Sequence, residues 1–160
     1  MAERLLIMRH GEAAPGHPDP QRPLTAQGRR EVTRVAGWLA GRDDLPVARL
    51  RLLASPYVRA QQTAELVAGT LGCKIESLSI ITPDDPPAAV VDWLLEQEGD
   101  GPLLVVSHMP LVGALTGLLV EGRAERGHGF PTAAVAELEA DVLAAGCARL
   151  VRFTSPVDLA

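Results

Sequence analysis

Leu5-Leu6-Ile7-Met8-Arg9-His10-Gly11-Glu12 is the stretch that decides the fold. Four consecutive apolar residues have the composition of a short strand buried on both faces. The run then stops on an arginine, a histidine, a glycine and an acid, none of which suits the interior of a parallel sheet. In open α/β sheets the ligand crevice lies beyond the carboxyl ends of the strands. Arg9 and His10 therefore read as a fixed cation beside a nucleophile or base. Gly11 reads as the point where the backbone can turn closely around a ligand.

The rest of the chain supplies strands and helices to flank this one. The loop Ala13–Pro20 is rich in proline and glycine, and Thr25 is placed to cap a helix in which Val32, Val35, Ala36 and Leu39 share a face and Gly41 is the stop. Leu50–Ala54 reads as a second strand. Ser55 and Pro56 supply cap and first-turn chemistry for a helix from Tyr57 to Leu71, with Thr63, Leu66, Val67 and Thr70 inward and Gly72 as its end. Ile75–Ile81 reads as a third strand and Ala88–Gln97 as a helix. Leu103–Ser107 is a fourth, fully buried strand ending on His108, and Pro110 opens a helix to about Val120. A polar loop, Glu121–Phe130, precedes two alternating segments, Ala134–Glu139 and Ala148–Phe153, which read as an antiparallel hairpin turning near Gly146. Strand–helix alternation predicts an α/β fold: a three-layer αβα sandwich on a mainly parallel sheet, closed by that hairpin.

Composition narrows the function classes. At 160 residues with 47% hydrophobic content, the chain suits one globular domain spanning 1–160. A net charge of −5 argues against a general nucleic-acid surface. Cys73 and Cys147 are far apart and have no ligand pattern around them, so neither a disulfide framework nor a zinc site is expected. No secretory leader and no apolar run of membrane-spanning length are visible, so a cytoplasmic protein without a membrane partner is expected. Among the 15 basic residues only Lys74 is a lysine. Arginine excess is a common compositional bias, but a guanidinium also grips phosphate oxygens bidentately.

Position is more telling than number. Arg9 and His10 end the first strand, Arg59 lies in the first turn of the helix after the second, and His108 ends the fourth. If the sheet is as predicted, two histidines and two arginines meet at one edge. This set is poor for a metal cation, so no metal and no cofactor is expected. It suits a phosphoryl group, whose charged oxygens arginines can neutralise while one neutral imidazole attacks phosphorus. The second imidazole would be protonated beside the dianion.

Three blocks carry a family resemblance. Leu6-Ile7-Met8-Arg9-His10-Gly11-Glu12 resembles the signature of the histidine phosphatase superfamily, the phosphoglycerate mutase-like proteins. Ser55-Pro56-Tyr57-Val58-Arg59-Ala60-Gln61-Gln62-Thr63-Ala64 and Val106-Ser107-His108-Met109-Pro110 resemble its second and third blocks, in the family's order. Within it, the short chain, Arg22-Pro23-Leu24-Thr25 and His108-Met109-Pro110-Leu111-Val112-Gly113 are most similar to the SixA-type phosphohistidine phosphatases. The resemblance implies that His10 is the nucleophile and that Arg9, Arg59 and His108 complete the phosphate pocket. Arg22 matches a further phosphate-contacting arginine, and backbone N–H groups near Gly11 and His108 are additional donors. It also implies a phosphohistidine-bearing protein as substrate, such as a histidine phosphotransfer domain or a phosphotransferase-system protein, and a place in signal transduction.

One departure from the family pattern concerns the proton donor. Larger members carry an acid and roofing segments after the second block, whereas only a strand, a loop and a helix separate Leu71 from Leu103 here. Glu12, Asp84 and Asp85 are the candidate acids, and Glu12 is equally suited to orienting His10 or His17. An imidazole leaving group needs an enzyme acid less than an alkoxide does, which favours phosphohistidine. A small metabolite or nucleotide phosphate as substrate, and a phospho-binding module without turnover, stay open. His17 and His128 are expected to be exposed loop residues, Trp38 and Trp93 packing residues, and Arg29, Arg30 and Arg34 a solvated helix face.

Overall fold

The computed structural model describes residues 3–160. Its centre is a six-stranded sheet in the order β3-β2-β4-β1-β5-β6. The strands are β1 (Glu3–Arg9), β2 (Arg51–Ala54), β3 (Ile75–Ser77), β4 (Leu103–Ser107), β5 (Val135–Ala140) and β6 (Arg149–Thr154). β1 pairs parallel to β4, β4 to β2 and β2 to β3, while β5 and β6 run antiparallel. Four helices cover the faces: α1 (Ala26–Ala40), α2 (Val58–Leu71), α3 (Pro87–Leu95) and α4 (Leu111–Glu121).

The period of two along each strand divides the core. Leu6, Met8, Leu52, Ala54, Leu104 and Val106 face α1 and α2. Leu5, Ile7, Leu53, Leu103 and Val105 face α3 and α4. Because both faces are covered, the inner strands read as unbroken apolar runs rather than as alternation, and the expected three-layer sandwich follows. β1 and β2 are consecutive in sequence, yet β4 lies between them. The three neighbouring parallel strands β2, β4 and β1 therefore end side by side on Ala54, Ser107 and Arg9, at the change of chain direction where open α/β sheets place their ligands.

The structure corrects several boundaries. β3 stops at Ser77 rather than Ile81 because its partner β2 ends: the Leu78 N–H makes the last bond, to the Ala54 carbonyl. Ile81 then turns inward as a fully buried core residue. α2 begins at Val58 with Tyr57 as its cap, so Ser55 is not the N-cap. Its inner face carries Arg59, Ala60, Thr63, Ala64, Val67 and Leu71; Leu66 is half-buried, and Thr70 is exposed with its hydroxyl bonded to the Leu66 carbonyl. α3 ends at Leu95, two residues before the expected Gln97. β5 is buried on both faces because its one inward acid, Glu137, is doubly bonded by Arg42 at 2.6 and 2.8 Å. His128 is half-buried, 4.5 Å from Phe153 ring to ring, rather than an exposed loop residue. Trp38 and Trp93 are half-buried, each under an arginine: Arg42 at 5.0 Å and Arg51 at 5.8 Å.

Candidate active site

His10 follows β1, and its main-chain N–H donates to the Ser107 carbonyl while its own carbonyl accepts from Ala133. The backbone is thus anchored to β4 on one side and to the turn that leads into β5 on the other. Only 6% of the residue is exposed. The ring Nδ1 lies 2.6 Å from the Gly11 carbonyl, which can only accept, so Nδ1 carries the proton. Nε2 then carries the ring's lone pair, which accepts from the Arg59 Nε–H at 3.2 Å. Burial, with the charges of Arg59, Arg9 and Arg22, pushes the imidazole down to about 4. At neutral pH His10 is therefore uncharged, in one tautomer, with Nε2 as its unprotonated nitrogen.

His108 sits 5.0 Å from His10, ring centre to ring centre, and is 1% exposed. Its Nε2 is 2.7 Å from Ser55 Oγ. Ser55 is fully buried, and among the described residues its hydroxyl proton has no acceptor other than the His108 ring, while its oxygen accepts from the Tyr57 N–H at 3.3 Å; the hydroxyl therefore donates to Nε2. That leaves the ring proton on Nδ1. Burial, His10 and Arg59 push His108 down to about 3. In the free protein it is neutral rather than protonated, yet Nδ1–H remains a donor. Tyr57 packs edge-on against this ring at 4.9 Å.

The arginines differ in how they are held. Arg59 is buried, with Nη1 donating to the Asp19 carbonyl at 2.8 Å and Nη2 to Asp19 Oδ2 at 3.2 Å. Arg22 donates to the Ala14 carbonyl at 2.7 Å and to Asp19 Oδ1 at 2.9 Å. Arg9 donates to the Phe130 carbonyl at 2.7 Å, and burial with the nearby Arg59 charge holds its pKa below the usual arginine value. Two buried donors among the described residues, Arg9 Nε and His108 Nδ1, have no acceptor in the protein. Unpaired buried donors are costly, and an anion between the two side chains would supply the missing acceptors.

The sequence assignments fare unequally. Arg9, His10, Arg59 and His108 come together, and Arg22 joins them through Asp19. Gly11 is present, but its N–H donates to Thr63 Oγ1 at 3.0 Å and is not available to a ligand. Its contribution is the carbonyl on His10, and its lack of a side chain is required by packing, since a Cβ would lie 2.7 Å from Val32 Cγ2. Glu12 neither orients His10 nor contacts His17: it accepts the Thr25 hydroxyl at 2.7 Å, and Thr25 caps α1 through Gly28. Asp85 accepts from the backbone and hydroxyl of Thr82 within its own turn, and Asp84 is exposed. Among the described residues none of these three acids bonds to His10, Arg59 or His108.

Ser55, Tyr57, Thr63 and Asp19 are the participants that sequence reading left without a role here. Ser55 carries a positional signal, since it follows β2 just as His10 follows β1 and His108 follows β4, but the helix-start signal of Ser55-Pro56 masks it. Asp19, in a loop of prolines, carries no such signal.

With this geometry in view, comparison with known proteins is decisive. Residues 5–81 match the Histidine phosphatase superfamily (branch 1). The chain is 39% identical to the phosphohistidine phosphatase SixA of Escherichia coli (strain K12) over 143 residues, covering 86% of each protein. The chain belongs to the histidine phosphatase superfamily. Within this superfamily it is also 38% identical over 120 residues to a SixA homolog of Haemophilus influenzae, covering 69% of this chain and 73% of that one. Among solved structures, the protein histidine phosphatase SixA complexed with tungstate superposes with a TM-score of 0.86 at 36% identity, covering 98% of this chain and 99% of that one. The phosphoglycerate mutase-like sheet is thus the superfamily's architecture.

Proposed function

We propose that this protein is a phosphohistidine phosphatase that works through a phosphoenzyme at His10. The observation that carries the reading is the His10 ring, with its proton fixed on Nδ1 by the Gly11 carbonyl and its Nε2 lone pair inside an arginine cluster. In the first step Nε2 forms a bond to phosphorus as the substrate P–N bond breaks, and the electron pair leaves with the substrate imidazole. That imidazole has already taken a proton on its other nitrogen, so it departs neutral. In the second step a water oxygen bonds to phosphorus, Nε2 leaves, and inorganic phosphate is released.

Arg9, Arg22, Arg59 and the His108 Nδ1–H serve the three non-bridging oxygens. Charge in the transition state thus meets donors already in place. Ser55 keeps His108 in the donating tautomer. The bound tungstate of the related SixA, a tetrahedral oxyanion of phosphate-like shape, supports an oxyanion pocket in this fold.

A phosphorylated protein side chain is the favoured substrate. Between Leu71 and Leu103 the chain spends its helix on the core, through Val90, Val91 and Leu94, and has no segment left to roof the crevice. A histidine phosphotransfer domain or a phosphotransferase-system protein has the required chemistry. Single-turnover hydrolysis of such phosphohistidine proteins, run beside common phosphomonoesters, tests this. The expected result is rapid loss of the protein label with a trapped phosphoenzyme that vanishes in His10→Ala, together with a fall in kcat of about 10³-fold or more. Rapid hydrolysis of a sugar phosphate with the phosphoprotein untouched sinks the substrate assignment. Tight phosphate binding without an adduct makes the protein a binding module.

A further inference from the structure

Asp19 stands at the pocket with both carboxylate oxygens engaged. Oδ1 accepts from Arg22 at 2.9 Å and Oδ2 from Arg59 at 3.2 Å. These two arginines are among the donors assigned above to the phosphoryl oxygens. A carboxylate bridging two guanidiniums presents the same charge and oxygen pattern to them as one edge of a phosphate. The Arg59 side chain is only 6% exposed, and a buried cation left without an anion is strongly unfavourable.

We propose that Asp19 is a positioning residue that exchanges with phosphate: it holds Arg22 and Arg59 in register in the free enzyme, yields them to the substrate, and reclaims them to expel the product. This rests on the phosphatase reading above. The exchange is local. Arg59 Nη1 also donates to the Asp19 main-chain carbonyl at 2.8 Å, so the guanidinium stays anchored while its Nη2 changes partner. Pro18 and Pro20 flank Asp19 and restrict the backbone there, which leaves rotation of the side chain as the route. That side chain is 53% exposed and turns into water without burying its charge. Arg22 and Arg59 hold the carboxyl below the usual carboxylate range, so it is an anion throughout the neutral range. Arg59 consequently has an anionic partner before, during and after turnover.

A simple brace and an exchanging partner predict opposite signs. Removing a brace loosens the arginines and weakens anion binding, whereas removing a competitor strengthens it. The test is calorimetric titration of wild type, Asp19→Asn, Asp19→Ala and Asp19→Glu with inorganic phosphate and with tungstate at 0.3 M salt, with product inhibition measured in parallel. The expected result is binding about tenfold tighter in Asp19→Asn and Asp19→Ala, the scale of one lost charge-assisted competitor. Asp19→Glu returns toward wild type. kcat and KM for a phosphohistidine protein fall together in Asp19→Asn, because release becomes slower. Unchanged or weaker phosphate binding in both neutral variants overturns the exchange and leaves the phosphatase reading intact. A wild-type protein that binds neither oxyanion sinks the phosphate pocket itself, and this inference with it.

Discussion

Arginines gather at both ends of the sheet, and the two gatherings behave differently. At the amino ends of β1, β2 and β4, Arg4, Arg49 and Arg51 line a cavity of about 400 Å³ with Glu3, Glu98 and Asp100. There Arg49 meets Asp100 at 3.0 Å and Arg51 meets Glu76 at 2.8 Å, both in water-exposed pairs. At the carboxyl ends, Arg22 and Arg59 share one carboxylate, that of Asp19, Arg9 has no carboxylate partner among the described residues, and Arg59 is buried. One end is concave but electrically balanced and solvated. The other is short of anions, with His10, His108 and Arg59 buried. A site for a phosphoryl group requires unbalanced, desolvated donors, and concavity alone does not supply them.

Single substitutions sharpen that contrast. Arg59→Ala lowers kcat/KM by about 10²–10³-fold, since a transition-state donor is removed from a buried site. It also moves the acid limb of the activity profile upward, because burial together with the Arg59 charge holds His10 down at about 4. Steady-state kinetics between pH 4 and 8 check both effects. The contrast breaks if Arg49→Ala, at the balanced end, is comparably damaging. Ser55→Ala costs about tenfold in kcat with little change in KM, because His108 loses the hydroxyl that keeps Nδ1–H as its donor.

Acidification tests the buried end through stability. The folded-state values, about 4 for His10 and about 3 for His108, lie below the 6.5 of an unfolded chain. The unfolded chain therefore binds protons first as pH falls. The stability contributed by the two neutral rings is complete above about pH 6.5 and is lost as pH drops toward 4 and 3. Urea midpoints should decline across that window and decline less in His10→Ala. The smallest expected effect is Arg49→Ala itself: an exposed ion pair is worth less than about 1 kcal/mol, with activity unchanged.

The parts legible in the sequence were those that local chemistry dictates. Unbroken apolar runs marked β1 and β4, and polar residues appearing where each run stops marked His10 and His108. What escaped depended on partners distant along the chain. Asp19 meets Arg59 across 40 positions, and nothing around it distinguishes it from a solvated turn acid. Ser55 beside Pro56 carries so strong a helix-start signal that its bond to His108, 53 positions on, was hidden behind it. Ile75–Ile81 has strand composition throughout, yet strand length is set by the neighbour, and β2 ends early. Glu12 invited an acid role by adjacency to His10, but Thr25 holds it on the end of α1.

The bond between His10 Nδ1 and the Gly11 carbonyl has a further consequence. Many nucleophilic sites orient an imidazole with a side-chain carboxylate, which acid can neutralise and one base change can remove. Here the orienting group belongs to the peptide chain. It does not titrate, and substitution of a side chain does not delete it. The His10 tautomer is thus inherited from the path of the backbone, and mutational drift can erode this site's affinity or specificity well before it erodes the aim of the proposed nucleophile.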